Sequence, residues 1–197
     1  MPASLPSSLD PISVLPWSDP LVEAIGHDPR SAYVEHFWLG ILGPSTTWLL
    51  RRLAAGFELY PDGFELDLEE TAKALGLAAA GGRHSPFARA LQRSVQFGMA
   101  QPHTGGLLVR RKLPPLSRRH VARLPEPVQH AHEAWLEHAA SANVVANEHA
   151  RARTLARTML QLGDDAERTE RQLHLVGVPP TIASEALRWA QAEPMGA

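Results

Sequence analysis

Apolar positions recur along this chain with two different periods. Between residues 30 and 57 the repeat is helical. Tyr33, Phe37 and Ile41 stand at i, i+4 and i+8, and Gly43-Pro44 then interrupts the stripe. Pro44 suits the first turn of a second helix, where its missing N–H is not needed. Trp48, Leu49 and Leu53 give that helix a core face, and Gly56 is its expected stop.

The period changes after residue 57. Phe64-Glu65-Leu66 alternates as a short strand. Asp67, three residues before Glu70, starts a helix holding Leu68, Ala72 and Leu75, with Gly76 as a stop. The Ala/Gly stretch Ala78–Gly82 reads as a linker. Ser85-Pro86 combines an N-cap with an N1 proline and starts a helix to about Met99, whose apolar face is Phe87, Leu91, Val95 and Met99. Pro102-His103-Thr104-Gly105-Gly106 has turn chemistry, and Leu107–Lys112 is a β-prone return strand.

The remainder predicts more helix. A short helix covers about Ser117–Leu124. Pro125 and Pro127 open a long one reaching towards Leu162, Asp164 with Glu167 caps the next, which stops at Gly177, and Pro179-Pro180 begins the last. Residues 1–29 hold six prolines and read as an irregular or extended leader, which Trp17, Leu21, Val22 and Ile25 could tack onto the body. The expected division is a leader at 1–29, a central domain at 30–124 and a helical region at 125–197. The fold class expected is mainly α with a small β-wing.

Charge changes this picture more than composition does. The 197 residues sum to a formal charge of −2. Residues 1–82 set four basic side chains against eleven acidic ones, and residues 125–197 set six against ten. Residues 83–124 carry nine basic side chains and no carboxylate. Such asymmetry is the electrostatic footprint of a polyanion site, or else an ordinary solvated basic surface. With 17 arginines and 2 lysines in the chain, arginine preference is global, so the lack of acids is the informative part.

The order of elements over residues 44–113 (helix, strand, helix, turn, helix, hairpin) resembles a winged helix-turn-helix domain. The resemblance covers about 70 of the 197 residues and rests on element order. It implies that Pro86–Met99 is the recognition helix, Gln101–Lys112 the wing and Leu68–Leu75 the supporting helix. The segment Gly76–His84 between the two helices is longer than the usual three or four residues.

Side-chain chemistry agrees with that mapping. Arg89, Arg93 and Gln96 lie at i, i+4 and i+7 with Gln92 alongside, opposite the apolar face. Arg and Gln can read guanine and adenine edges in a major groove. Ser85 and the helix start could take a phosphate. Arg110, Arg111 and Lys112 on the hairpin, with Arg83, Arg118 and Arg119 nearby, could grip the backbone. The expected partner is double-stranded DNA and the expected role transcriptional regulation. The alternative is a protein-interaction module that uses the same domain without touching DNA.

Other chemistry finds little footing. The chain has no cysteine, which excludes disulfides, thiolate metals and cysteine nucleophiles. His132-Glu133 starts like a zincin motif, but the next histidine is His138, so the spacing fails. His130, Glu133 and Glu137 share a helical face and stay open as a metal site or as solvated polar residues. No nucleophile elbow, Walker loop or dinucleotide fingerprint occurs. No enzyme activity, cofactor or membrane association is expected. The absence of a signal-peptide pattern makes the cytoplasm the expected location. Trp135, Val144, Val145, Leu155, Met159 and Leu162 form an imperfect apolar stripe, suited to a homodimer through the C-terminal helices or to packing within one chain.

Overall fold

A computed structural model of the chain describes residues 11–78 and 84–192. The expected linker Ala78–Gly82, apart from Ala78, and Arg83 lie outside the described residues. The fold is mainly helical with a small mixed sheet, and the chain divides into two compact units, 1–132 and 133–197.

The sheet sharpens the reading of the leader. Residues Ile12–Pro16 are extended rather than irregular: they form β1, an inner strand of four. β1 runs antiparallel to β2 (Phe64–Leu66) and parallel to β4 (Gly106–Val109), which is antiparallel to β3 (Ala100–His103). Ile12 and Val14 supply the alternation, and Val14 is fully buried. Proline does not break this strand because Ser13 and Trp17 donate to β4, at Gly105 O (3.0 Å) and Val109 O (2.8 Å). The missing N–H of Pro16 therefore points to the other side, beyond the end of β2, where no ladder bond is lost.

Helices cover this sheet in the order the periodicity predicts. After a short α1 (Pro20–Ile25), Tyr33, Phe37 and Ile41 are buried along a π-helical turn, Val34–Trp38, that runs into α2 (Leu39–Leu42). Gly43, at φ 76°, breaks the chain there. α3 (Pro44–Leu59) buries Leu49, Leu50, Leu53 and Phe57. Trp48 does not join them: it is 57 % exposed, under the Arg51 guanidinium. Gly56 does not stop α3 either. It lets the Phe64 ring lie against the helix, where a Cβ would come within 2.4 Å of Cζ.

α4 (Leu68–Ala74) begins at Asp67, whose carboxylate accepts from the Glu70 N–H at 2.7 Å. α5 (Pro86–Gln96) begins at Ser85, and α6 (Arg118–Val121) at Ser117. Tyr33 ties the core to its edges. Its ring stacks on His27 at 3.6 Å, and its hydroxyl accepts from the Leu116 N–H and meets His132 Nε2, both at 2.9 Å.

α7 (Glu126–Gln161) is 36 residues long. In the second unit its C-terminal part packs with α8 (Ala166–Leu175) and α9 (Pro180–Ala192) around Ala152, Ala156, Leu173, Ala183, Ala186 and Ala190. The α8 cap is Asp165 rather than Asp164: Asp165 accepts from the Arg168 N–H at 2.8 Å. Alanines let these helices approach closely, so a polar atom caught between them is costly. Thr169 Oγ1 is buried with no partner among the described residues. Thr169→Val, which removes the orphan hydroxyl at nearly constant shape, is expected to stabilise the protein by about 1 kcal/mol. A denaturant titration with unchanged m-value checks it.

Candidate nucleic-acid interface

The candidate interface is built on α5. Ser85 Oγ accepts from the Ala88 N–H at 3.1 Å and Pro86 occupies the first turn, which fixes where the helix starts. Phe87, Ala90, Leu91 and Ser94 are buried against the core, and Ser94 closes its hydroxyl on Leu91 O at 2.6 Å. Arg89, Gln92, Arg93 and Gln96 are all exposed, and together they form the opposite polar stripe that the spacing predicts.

Both arginines of the stripe are held in place by backbone carbonyls. Arg89 donates from Nε and Nη2 to His84 O at 3.0 and 2.9 Å. Arg93 donates from Nη2 to Ile41 O at 2.7 Å and covers the Phe97 ring. Each keeps donors for a ligand, because a guanidinium has five. Among the described residues, no carboxylate lies in ion-pair range of Arg89, Arg93, Arg118, Arg119 or Arg123.

Other expected contacts serve the fold instead. Ser85 is 3 % exposed and its hydroxyl is the cap, so it offers nothing to a phosphate. β4 ends at Val109, so Arg110, Arg111 and Lys112 follow the hairpin rather than stand on it. Arg110 lies over the Trp17 ring at 3.9 Å, donates to Gly98 O at 2.9 Å and pairs with Asp19. That hydrogen bond holds the Asp19 carboxyl below the usual carboxylate range. Lys112 donates to Glu23 O, so Arg110 and Lys112 fasten the N-terminal segment around α1, while Arg111 donates to Pro61 O in the turn between α3 and β2. Asp19, Pro61 and Glu23 lie 91, 50 and 89 residues from them in the chain, which hides the role from a local reading. The exposed hairpin tip, His103-Thr104-Gly105, carries no Arg or Lys.

Arg118 and Arg119 do stay exposed, on α6. The His120 ring lies 5.7 Å from Phe97, just past α5, and 5.4 Å from Trp38. Burial, and after it the charges of Arg123 and Arg119, holds the His120 pKa below the ordinary 6.5. Arg123 is thus an exposed cation that belongs with this face and was not singled out, although the same acid-free span contains it. Also missed was the start of α3. Ser45 and Thr46 border a groove of about 590 Å³ whose other wall is the polar stripe of α5. Gly43-Pro44 was its sequence signal.

Among the described residues no group of three or more His, Cys, Asp or Glu could hold a metal ion, and no helix is long and apolar enough to cross a membrane. Compared with known proteins, the chain matches no family model, no curated protein and no solved structure.

Proposed function

We propose that the chain is a DNA-binding protein of the winged helix-turn-helix type, probing duplex DNA with the exposed face of α5. The observation that carries this reading is the set of uncompensated cations. Arg89 and Arg93 on α5 and Arg118, Arg119 and Arg123 by α6 have no carboxylate in pairing range among the described residues. A basic surface free of acids is the electrostatic footprint that a polyanion site requires. The element order α3, β2, α4, α5, β3, β4 supports the same reading.

Two departures shape the proposal. β1 stands between β2 and β4, and the hairpin tip lacks Arg and Lys, so backbone contacts fall to α6 rather than to a basic wing. Gln92 and Gln96 beside the arginines supply the amide groups suited to adenine edges. A homodimer through the C-terminal helices belongs to this reading. Around its middle α7 exposes Trp135 (37 %), Leu136 (48 %), Val144 (66 %) and Val145 (51 %), and a second copy would cover them. Transcriptional regulation from a cytoplasmic location is the role such a dimer would serve.

The test is duplex binding at low salt, followed by anisotropy, for the native protein and for Arg89→Ala combined with Arg93→Ala. The double variant is expected to lose at least about tenfold in affinity and to show a shallower salt dependence. Native protein that binds no duplex, but recovers one stoichiometric protein partner insensitive to nuclease, would replace this reading with the interaction-module alternative.

A further inference from the structure

We infer that the groove between the start of α3 and the exposed face of α5 is a seat for a phosphate group. Three features converge there. α3 has 16 residues, and no side chain caps its N-terminus at Gly43. Its first intrahelical bond is Thr47 N–H to Gly43 O, so the N–H groups of Ser45 and Thr46 are left for a ligand, at the positive end of the helix dipole.

The second feature is Thr46 itself. Its residue is 98 % removed from solvent, it lines the groove, and its hydroxyl has no hydrogen-bond partner among the described residues. Thr46 Oγ1 is not among the fully buried unpaired atoms, so the small part of this residue that reaches solvent includes its hydroxyl, which can join the two free amides as a third donor. The third is the opposite wall. Arg93 is tethered to Ile41 O, two residues before Gly43, and Arg89 to His84 O. Both guanidiniums are therefore positioned before any ligand arrives, with donors to spare. None of the groove's lining residues is acidic.

A phosphate has oxygens enough to accept from two amides, a hydroxyl and a guanidinium together. The groove, at about 590 Å³, is larger than one phosphate. Gln92 and Gln96 would face whatever is attached to it. That phosphate comes either from a duplex backbone crossing α5 or from a free phosphorylated small molecule. The duplex arm rests on the function proposed above; the seat does not.

The experiment compares native protein, Thr46→Val and the Arg89→Ala/Arg93→Ala double variant. Thr46→Val keeps the branched shape and removes only the unpaired hydroxyl, so it should fold, as circular dichroism will check. The probes are inorganic phosphate and adenosine 5′-monophosphate, by isothermal titration and amide chemical shifts, and a short duplex, by anisotropy. The seat predicts saturable shifts in the Ser45 and Thr46 amides with at least one probe, and weakening of that probe by about fivefold or more in Thr46→Val. Free phosphate or nucleotide that saturates while the duplex does not bind supports the seat and sinks the DNA reading. Duplex binding that falls in the arginine variant but is unchanged in Thr46→Val, with no free anion bound, overturns the seat and leaves the DNA reading standing. Binding of any probe with no shift at Ser45 and Thr46 also overturns it.

Discussion

Gly106→Ala is expected to open the sheet of the first unit. A Cβ at Gly106 would stand 1.8 Å from Ser13 O and 2.6 Å from Ser13 C, on the parallel strand β1. Nothing there is a flexible side-chain end: the obstacle is the backbone of an inner strand, whose neighbours Ile12 and Val14 are buried. To fit one methyl group, β1 must move away from β4, and the bonds of Ser13 to Gly105 O and of Trp17 to Val109 O go with it. Overpacking of this kind costs about 3 kcal/mol or more, or roughly 6–12 °C of Tm for a chain of this length. Thermal unfolding followed by far-UV circular dichroism measures it. A Tm within a degree or two of native would mean that β1 does not pair with β4 in solution.

Tyr33→Ala is expected to be almost as damaging, for a different reason. Tyr33 is 1 % exposed and serves four neighbours at once. His27 stacks on its face with 10° between the planes, Phe37 meets it edge-on at 5.1 Å, and its hydroxyl holds the Leu116 N–H and His132 Nε2. Alanine leaves a cavity of nearly a full ring and abandons two buried polar groups. About 4 kcal/mol is the expected loss, from the large-to-small core range with the orphaned groups added. Tyr33→Phe separates the parts: it keeps the ring and loses the hydroxyl, and should cost about 2 kcal/mol. Equal losses for the two variants in a urea titration would show that the ring contributes nothing beyond its hydroxyl.

What could be read in advance was local. Asp67 and Ser85 announce their helices because a cap acts within three residues, and both bonds are present. The break at Gly43-Pro44 is likewise a property of two adjacent residues. The exposed stripe on α5 follows from helical spacing alone, which is why Arg89, Gln92, Arg93 and Gln96 share a face as expected. β1 was not legible: two buried apolar positions among prolines make a strand only when β2 and β4, some fifty and ninety residues on, lie on either side of them. The same distance hid the work of Arg110, whose carboxylate partner Asp19 precedes it by 91 residues. Basic residues next in sequence to a hairpin look like hands for a polyanion, yet Arg110 and Lys112 fasten the N-terminal segment to the body and Arg111 holds the turn at Pro61. Exposure of Trp48 is a tertiary outcome too, since periodicity gives the buried arc of α3 but not its edge.

The placement of β1 also bears on how the chain reaches its native state. An inner strand contributed by residues 12–16 can meet β2 once residues 64–66 have been synthesised, but its second neighbour arrives only with residues 106–109. Closing so long a loop is entropically unfavourable, and pairings of this separation slow folding compared with helical contacts. Until then the side of β1 that β4 will take is an unpaired edge. During synthesis the first unit therefore holds helices around an unfinished sheet, and the sheet is completed only when the β3–β4 hairpin docks on β1.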